Sequence, residues 1–348
     1  MNGEVEALQV WGGEVYAGGL FATADGSPAS YIAKWNANSW SALGLGVDGL
    51  VRALAASDSG LYAAGSFRMA GDSTAQRIAK WDGSSWSALG SGMSGGVYAL
   101  AASGSDLYAG GVFRRATNSD GVAITANRIA KWGSGGWSAL GSGMDTNVYA
   151  LAVSGGNLYA GGLFTNAGGT AANCIAKWDG NSWTALGSGV DGGVYALAVS
   201  GADLYAGGNF QLAGGRTASY LAKWDGTNWT ALGSGMSGQV NALAILGSDL
   251  YAGGYFTTAG GKVSPYIARA YLRPLPTLSV LRSGVPQGGM TVSWPSVDTA
   301  GFVLEQAGAL AAPVGWVSNT ASITDDGTNK SVIIPATNNA QFFRLRRP

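Results

Sequence analysis

The sequence predicts an all-β fold, a six-bladed β-propeller followed by a small β-sandwich, on three observations. The segment Leu-Tyr-Ala-Gly-Gly-x-Phe recurs with its tyrosine at Tyr16, Tyr62, Tyr108, Tyr159, Tyr205 and Tyr251, at spacings of 46, 46, 51, 46 and 46 residues. Each of the first five repeats carries four short apolar runs, and the sixth three, rich in aromatic and β-branched residues and bounded by Gly, Asn, Asp and Ser, which is strand patterning. The repeat ends at Arg273-Pro274-Leu275-Pro276, a proline-marked linker, so domains are expected at 1–273 and 274–348. Four antiparallel strands per repeat at a fixed period is the pattern of propeller blades.

The fourth repeat shows the four runs in order. Val148-Tyr-Ala-Leu-Ala-Val is strand A, Leu158-Tyr-Ala-Gly-Gly-Leu-Phe strand B, Cys174-Ile-Ala-Lys-Trp strand C and Trp183-Thr-Ala-Leu-Gly strand D. Strands C and D are joined by Trp-Asp-Gly-x-x-Trp, as in Trp81 to Trp86 and Trp178 to Trp183, where Asp-Gly suits a tight hairpin. The pairs Gly110-Gly111, Gly161-Gly162, Gly207-Gly208 and Gly253-Gly254 close strand B, and a missing Cβ there permits close approach near a crowded axis. In the second repeat the pair is Ala64-Gly65. The paired tryptophans read as packing between neighbouring blades. The five extra residues of the third repeat fall in its B–C loop, Arg114 to Asn127.

Met1 aligns with Met93, Met144 and Met236, so the chain opens at a strand A, and the sixth repeat has no Trp-x-Ala-Leu-Gly run. Two closures are open at this point: a strand D preceding Met1, or Leu275–Leu278 as a poor edge strand. Beyond the linker, strands are expected at Thr277–Leu281, Met290–Trp294, Phe302–Gln306, Gly315–Ser318, Ser331–Ile334 and Gln341–Leu345, a set that fits a small sandwich.

Composition removes whole classes of chemistry. Glycine supplies 58 of 348 residues without a third-position period, which sets collagen aside, and an apolar fraction of 47% is incompatible with a disordered chain. Lys plus Arg and Asp plus Glu both number 20, so no basic excess exists for nucleic acid or an anionic membrane. No apolar run approaches the ~18–20 residues of a bilayer span, and Met1-Asn2-Gly3-Glu4 is not the start of a signal peptide. Histidine is absent, which removes imidazole acid–base chemistry, His-ligated metals and Ser–His or Cys–His pairs. Cys174 is the single cysteine. No catalytic residue, metal, cofactor or nucleic-acid partner is therefore expected.

The strand-B ending Tyr-x-Gly-Gly, the aromatic that closes it and the tryptophan that follows resemble the kelch motif. The repeats are most similar to the Ile-Ala-Lys-Trp-Asp-Gly-x-x-Trp-x-Ala-Leu-Gly-Ser-Gly repeats of secreted bacterial propellers and fungal cortical-marker proteins. The resemblance covers about four-fifths of the chain and implies a binding platform outside the cell or on its surface. The copper-oxidase (galactose-oxidase-like) branch of that group requires histidine ligands that this chain lacks, so its activity is not implied. The tail, with Val292-Ser-Trp and the terminal Phe342-Phe-Arg-Leu-Arg, resembles fibronectin type III-like modules, which implies a spacer or attachment role.

Because the repeats are near-copies, positions where they differ stand out. One column at the start of strand A reads Glu6, Arg52, Tyr98, Tyr149, Tyr195, Asn241. A second, just before strand C, reads Tyr31, Arg77, Arg128, Cys174, Tyr220, Tyr266. A third, after the strand-B phenylalanine, reads Ala22, Arg68, Arg114, Thr165, Gln211, Thr257. All three are expected on the face shared by the B–C and D–A loops, and Tyr and Arg are the residue types most enriched at recognition hot spots.

Other signals read as structure. Gly90-Ser-Gly-Met-Ser-Gly95 and Gly233-Ser-Gly-Met-Ser-Gly238 match a dinucleotide fingerprint but link strand D to strand A, where no helix follows to hold a pyrophosphate. The face carboxylates are Glu4, Glu6, Asp25, Asp48, Asp72, Asp120, Asp145 and Asp191; three of them, Asp48, Asp145 and Asp191, align with Asn2, Ser94 and Ser237, which is turn chemistry. The basic column Lys34, Lys80, Lys131, Lys177, Lys223 and then Arg269 is regular enough for a repeated ion pair or carbonyl contact. The expected function is a non-enzymatic, monomeric extracellular module that recognises a glycan or protein. The alternatives are an adhesive segment of a larger surface protein, or a histidine-free polysaccharide hydrolase or lyase using paired carboxylates.

Overall fold

The computed structural model describes residues 1–272, 278–282, 289–296, 302–309, 315–335 and 341–346. Among them every regular element is a β-strand. The chain divides into two compact units, Met1–Ala270 and Tyr271–Pro348, a division a few residues before the linker read from the sequence.

The first unit contains six antiparallel, blade-like sheets in chain order. The fourth has strand A at Val148–Ser154, B at Asn157–Gly162, C at Ile175–Trp178 and D at Trp183–Ala185, hydrogen-bonded in that order. Sheets one to five have four strands each, and among the described residues the sixth has three: Val240–Leu246, Asp249–Gly254 and Ile267–Tyr271. The edge strand considered at Leu275–Leu278 lies mostly outside the described residues. The neighbouring Ser279–Arg282 pairs with Gly289–Pro295 of the second unit.

Each sheet is pressed onto the next by the same contacts. Val51, Val97, Val148, Val194 and Val240 open their strands A fully buried, and Ile32, Ile78, Ile129, Ile175 and Leu221 on strand C are as deeply covered. Burial of one such side chain contributes about 1.5–3 kcal/mol. The glycine pair serves both partners of this junction. A Cβ on Gly161 would lie 2.5 Å from Val194 Cγ1 of the next sheet, and one on Gly162 would lie 2.0 Å from the Asn147 carbonyl of its own strand-A entry. The pair thus answers one side-chain approach and one backbone approach, in place of the purely backbone crowding expected at the axis. Ala64 occupies the first position in the second sheet, fully buried, so a methyl is accommodated there.

The strand-D tryptophans bridge consecutive sheets. Trp86, Trp137, Trp183 and Trp229 are buried, and each indole N–H donates to the carbonyl of Leu43, Leu89, Leu140 or Leu186 in the preceding sheet, at 2.8–3.0 Å.

The B–C segments are short hairpins, not open loops. Asn166–Ala167 pairs with Thr170–Ala171, and Met144 of the D–A connection bridges to Ala167. The inserted segment of the third repeat folds the same way, Arg115–Thr117 against Ala123–Thr125, with Gly92–Met93 as a third strand. B–C hairpins and D–A connections therefore meet at one end of the sheets.

The succession has one open junction. Val5, Leu8 and Val10 on strand A of the first sheet are exposed, as is Ile267 on strand C of the sixth. Sheets one and six do not cover one another.

Among its described residues the second unit has two antiparallel sheets. Gly289–Pro295 and Asn329–Pro335 pair centrally in one, and Val303–Ala307 pairs with Phe342–Arg346 in the other. Val292, Trp294, Leu304, Val332 and Ile334, drawn from both sheets, form its core. Glu305 is buried there and paired with Arg344 and Arg346 at 2.6 and 3.3 Å.

Candidate functional site

In every repeat the pairing of strand A with strand B slips by one residue near its start. The slips lie between Val5 and Ala7, Val51 and Ala53, Val97 and Ala99, Val148 and Ala150, Val194 and Ala196, and Val240 and Ala242. The skipped residues are Glu6, Arg52, Tyr98, Tyr149, Tyr195 and Asn241, the whole first column. A bulge leaves its extra residue out of the ladder and re-aims its side chain. The column differs between repeats because these side chains leave the sheet packing.

The six side chains, with Gln239, line one cavity of about 510 Å³. Their neighbours along the arc touch. Arg52 Nη1 is 4.0 Å from Glu6 Oε2, and its guanidinium lies 5.2 Å from the centre of the Tyr98 ring. Tyr98 stacks on Tyr149 at 5.7 Å and 8° between planes, and Tyr195 meets Tyr149 edge-on at 5.5 Å. The residue two before the column fits what it carries. Gly96 and Gly193 leave room for the rings of Tyr98 and Tyr195, a Cβ there lying 3.0 Å from the ring. Asn147 Nδ2 donates to the Tyr149 hydroxyl at 3.0 Å, and Gln239 Nε2 donates to Asn241 Oδ1. The wall thus sets three consecutive tyrosine rings between a guanidinium–carboxylate pair on one side and two amides on the other.

The other two columns do not line this cavity. In the second, all six residues adopt left-handed backbone, with φ from 63° to 71°. This is a costly conformation for tyrosine or arginine, held by paired backbone bonds such as Cys174 N–H to the Phe164 carbonyl and Gly162 N–H to the Cys174 carbonyl. Arg77 and Arg128 donate to the carbonyls of Met93 and Met144 in the next D–A connection, at 2.6 and 3.1 Å. Tyr31 packs on a hydrophobic core, Tyr220 is half-buried and Tyr266 is exposed. In the third column Arg68 and Arg114 are exposed. The three columns were expected on one face; of them, only the first lines this cavity.

The third column is instead the anchor point of the B–C hairpin. Asn2, Asp48, Ser94, Asp145, Asp191 and Ser237 each accept the backbone N–H of the residue 20 positions on: Ala22, Arg68, Arg114, Thr165, Gln211 and Thr257, at 2.6–3.1 Å. The D–A carboxylates are thus clamps. Burial opposes ionisation of Asp145, but bonds from the Thr165 hydroxyl and nearby N–H groups outweigh it and hold the carboxyl below its usual range.

The lysine column supplies ion pairs where an acid opens strand B: Lys34 with Glu14, Lys131 with Asp106 and Lys223 with Asp203, at 2.7–3.1 Å. The hydrogen bond from Lys34 is the main reason the Glu14 carboxyl is lowered. Gly90 to Gly95 forms a turn and a two-residue strand, Gly92–Met93, with no helix beyond it.

Cys174 is buried and borders a separate cavity of about 320 Å³ with Thr165, Asp191 and Leu212. Burial, reinforced by Asp191 and Asp145, pushes its thiol up to about 11. At pH 8.5 the folded thiol is therefore almost wholly protonated, and iodoacetamide is expected to modify it on the order of a hundredfold more slowly than in urea. The rate should rise about tenfold per pH unit until pH nears 11; equal rates in native and unfolded protein would contradict the burial.

No protein-family model matches the sequence, and no curated protein matches it. Among solved structures, the computationally designed Ika4 protein is similar to 53% of this chain over 96% of its own length, at 17% identity and a TM-score of 0.32. A structure described as a glycoside hydrolase covers 97% of this chain and 93% of its own, at 9% identity and a TM-score of 0.29.

Proposed function

We propose that the repeat region is a six-bladed, kelch-like propeller unit acting as a non-enzymatic binding module, with its ligand seated in the cavity lined by the bulge residues. The observation that carries this reading is the set of six bulges, which takes one of the three chemically variable columns out of the strand pairing and gathers it around one cavity. Tyr98, Tyr149 and Tyr195 offer flat apolar faces with hydroxyl tips, the combination that stacks on a sugar ring while exchanging hydrogen bonds with its hydroxyls. Arg52, Glu6, Asn241 and Gln239 supply the directional polar contacts. A glycan is the best match to this wall, and a protein loop rich in hydroxyl and amide groups is the second.

A hydrolase reading has less support. Glu6 is the one carboxylate among the residues lining the cavity, whereas glycosidic acid–base chemistry uses two facing carboxyls. Asp48, Asp145 and Asp191 are committed to backbone N–H groups. The second unit is read as a fibronectin-like sandwich serving as a spacer, and the module as extracellular or surface-attached.

Titration calorimetry of the full chain against a panel of neutral, acidic and amino-sugar oligosaccharides tests the proposal. At least one member is expected to bind, and replacing Tyr98, Tyr149 and Tyr195 together with alanine is expected to abolish that binding without changing the circular dichroism spectrum. Absence of binding across the panel at millimolar concentration, or binding that survives the triple replacement, would overturn the glycan assignment.

A further inference from the structure

We infer that copies of this chain associate head to tail, the open face of the first sheet in one copy seating on the open face of the sixth sheet in the next. The surface needed is already built five times within the chain. At four of the five internal junctions a Val and a Leu of strand A press on a strand-B glycine of the preceding sheet, and at the other Val97 and Leu100 share a core with Ala64. Val51 and Leu54 meet Gly18, Val148 and Leu151 meet Gly110, Val194 and Leu197 meet Gly161, and Val240 and Leu243 meet Gly207.

The two halves of that junction are present and unpaired at the ends of the succession. On the first sheet Val5 is 44%, Leu8 65% and Val10 62% exposed, whereas Val51, Val97, Val148, Val194 and Val240 at the position of Val5 are 0% exposed. On the sixth sheet Ile267 is 64% exposed, whereas Ile32, Ile78, Ile129 and Ile175 at its position are 0% exposed. Gly253 is the counterpart of Gly161, yet among the described residues a Cβ added there would meet only Ala242 and the Tyr266 carbonyl, both of its own sheet, at 3.8 and 3.9 Å. The first face therefore carries the knobs and the sixth carries the hole.

These are complementary rather than identical surfaces, and large apolar side chains left in water on a repeating scaffold mark an interaction surface. Five internal precedents specify the occupant of each face as a sheet of this same repeat, and a second copy presents one. The contact is heterologous, so it propagates into rings or filaments instead of stopping at a two-fold dimer. This replaces the monomer expected from the sequence and is independent of the ligand reading.

Light-scattering mass of the full chain, followed across a roughly hundredfold range of concentration, is the first test, and association rising with concentration is expected. Two variants then block one face each: Leu8→Glu on the first sheet and Ile267→Glu on the sixth. Both residues are exposed, so both variants should fold, as judged by circular dichroism. Each alone is expected to be monomeric, and a 1:1 mixture is expected to give a dimer and nothing larger, because one intact face of each kind remains. A wild-type mass equal to one chain at every concentration, as when the two ends close on each other within a copy, overturns the proposal. So does a mixture that stays monomeric, or association that persists in either variant alone.

Discussion

Trp183→Ala is expected to lower the unfolding free energy by about 3–5 kcal/mol, read as the shift of the urea midpoint. The indole is buried, packs beneath Gly168 of the B–C hairpin, and donates to the Leu140 carbonyl of the preceding sheet at 2.9 Å. Truncation removes an inter-sheet contact and opens a void in a junction with no slack. Trp183→Phe separates the terms. It keeps most of the ring and deletes the donor, and the Leu140 carbonyl retains the Gly143 N–H, so a cost near 1 kcal/mol is expected. Trp40 supplies an internal control, because it holds the same position in the first sheet, where the preceding side is open, and is only partly buried. Trp40→Ala should cost less than half as much as Trp183→Ala. Equal costs would mean that the tryptophans stabilise their own sheet and not the junction.

Tyr149→Ala is expected to weaken binding of the oligosaccharide identified in the panel by about 10- to 100-fold, or about 1.4–2.8 kcal/mol. Tyr149 is the keystone of the arc, since it touches Tyr98 on one side and Tyr195 on the other and its hydroxyl is fixed by Asn147. Removing it deletes one stacking face and frees two others. Stability should hardly change, because a bulge residue has no ladder partner to lose. Arg68→Ala, in the third column, should leave affinity unchanged within twofold. The reverse pattern, with Arg68 essential and Tyr149 silent, would move the site to the hairpin end.

The strands were legible because each carries its own signal. A run such as Val148-Tyr-Ala-Leu-Ala-Val bounded by turn residues is a strand wherever it sits, and six copies average out local ambiguity. The Asp48, Asp145 and Asp191 clamps were legible too, since only a side-chain oxygen accepting N–H bonds is common to Asp, Asn and Ser at that register. The B–C hairpins were missed: two-residue strands such as Asn166–Ala167 are too short for periodicity to register. The left-handed backbone at Tyr31, Arg77 and Arg128 was hidden for another reason. Tertiary bonds impose it on residues whose own preference opposes it. The bulges were invisible as geometry but left a chemical trace, a position that varies inside an otherwise uniform strand. Variation alone could not separate the first column from the other two, because exposure and detachment from the ladder look alike in a sequence.

The bulges also bear on how recognition by this scaffold could be changed. A residue that is skipped in the strand register and belongs to no buried cluster is free of most constraints that fix the rest of its repeat. Six such positions around one opening amount to a palette whose colours can be exchanged without repainting the frame. Randomising codons 6, 52, 98, 149, 195 and 241 together should therefore yield a library in which most members keep the parent's thermal denaturation curve while their ligand preferences diverge.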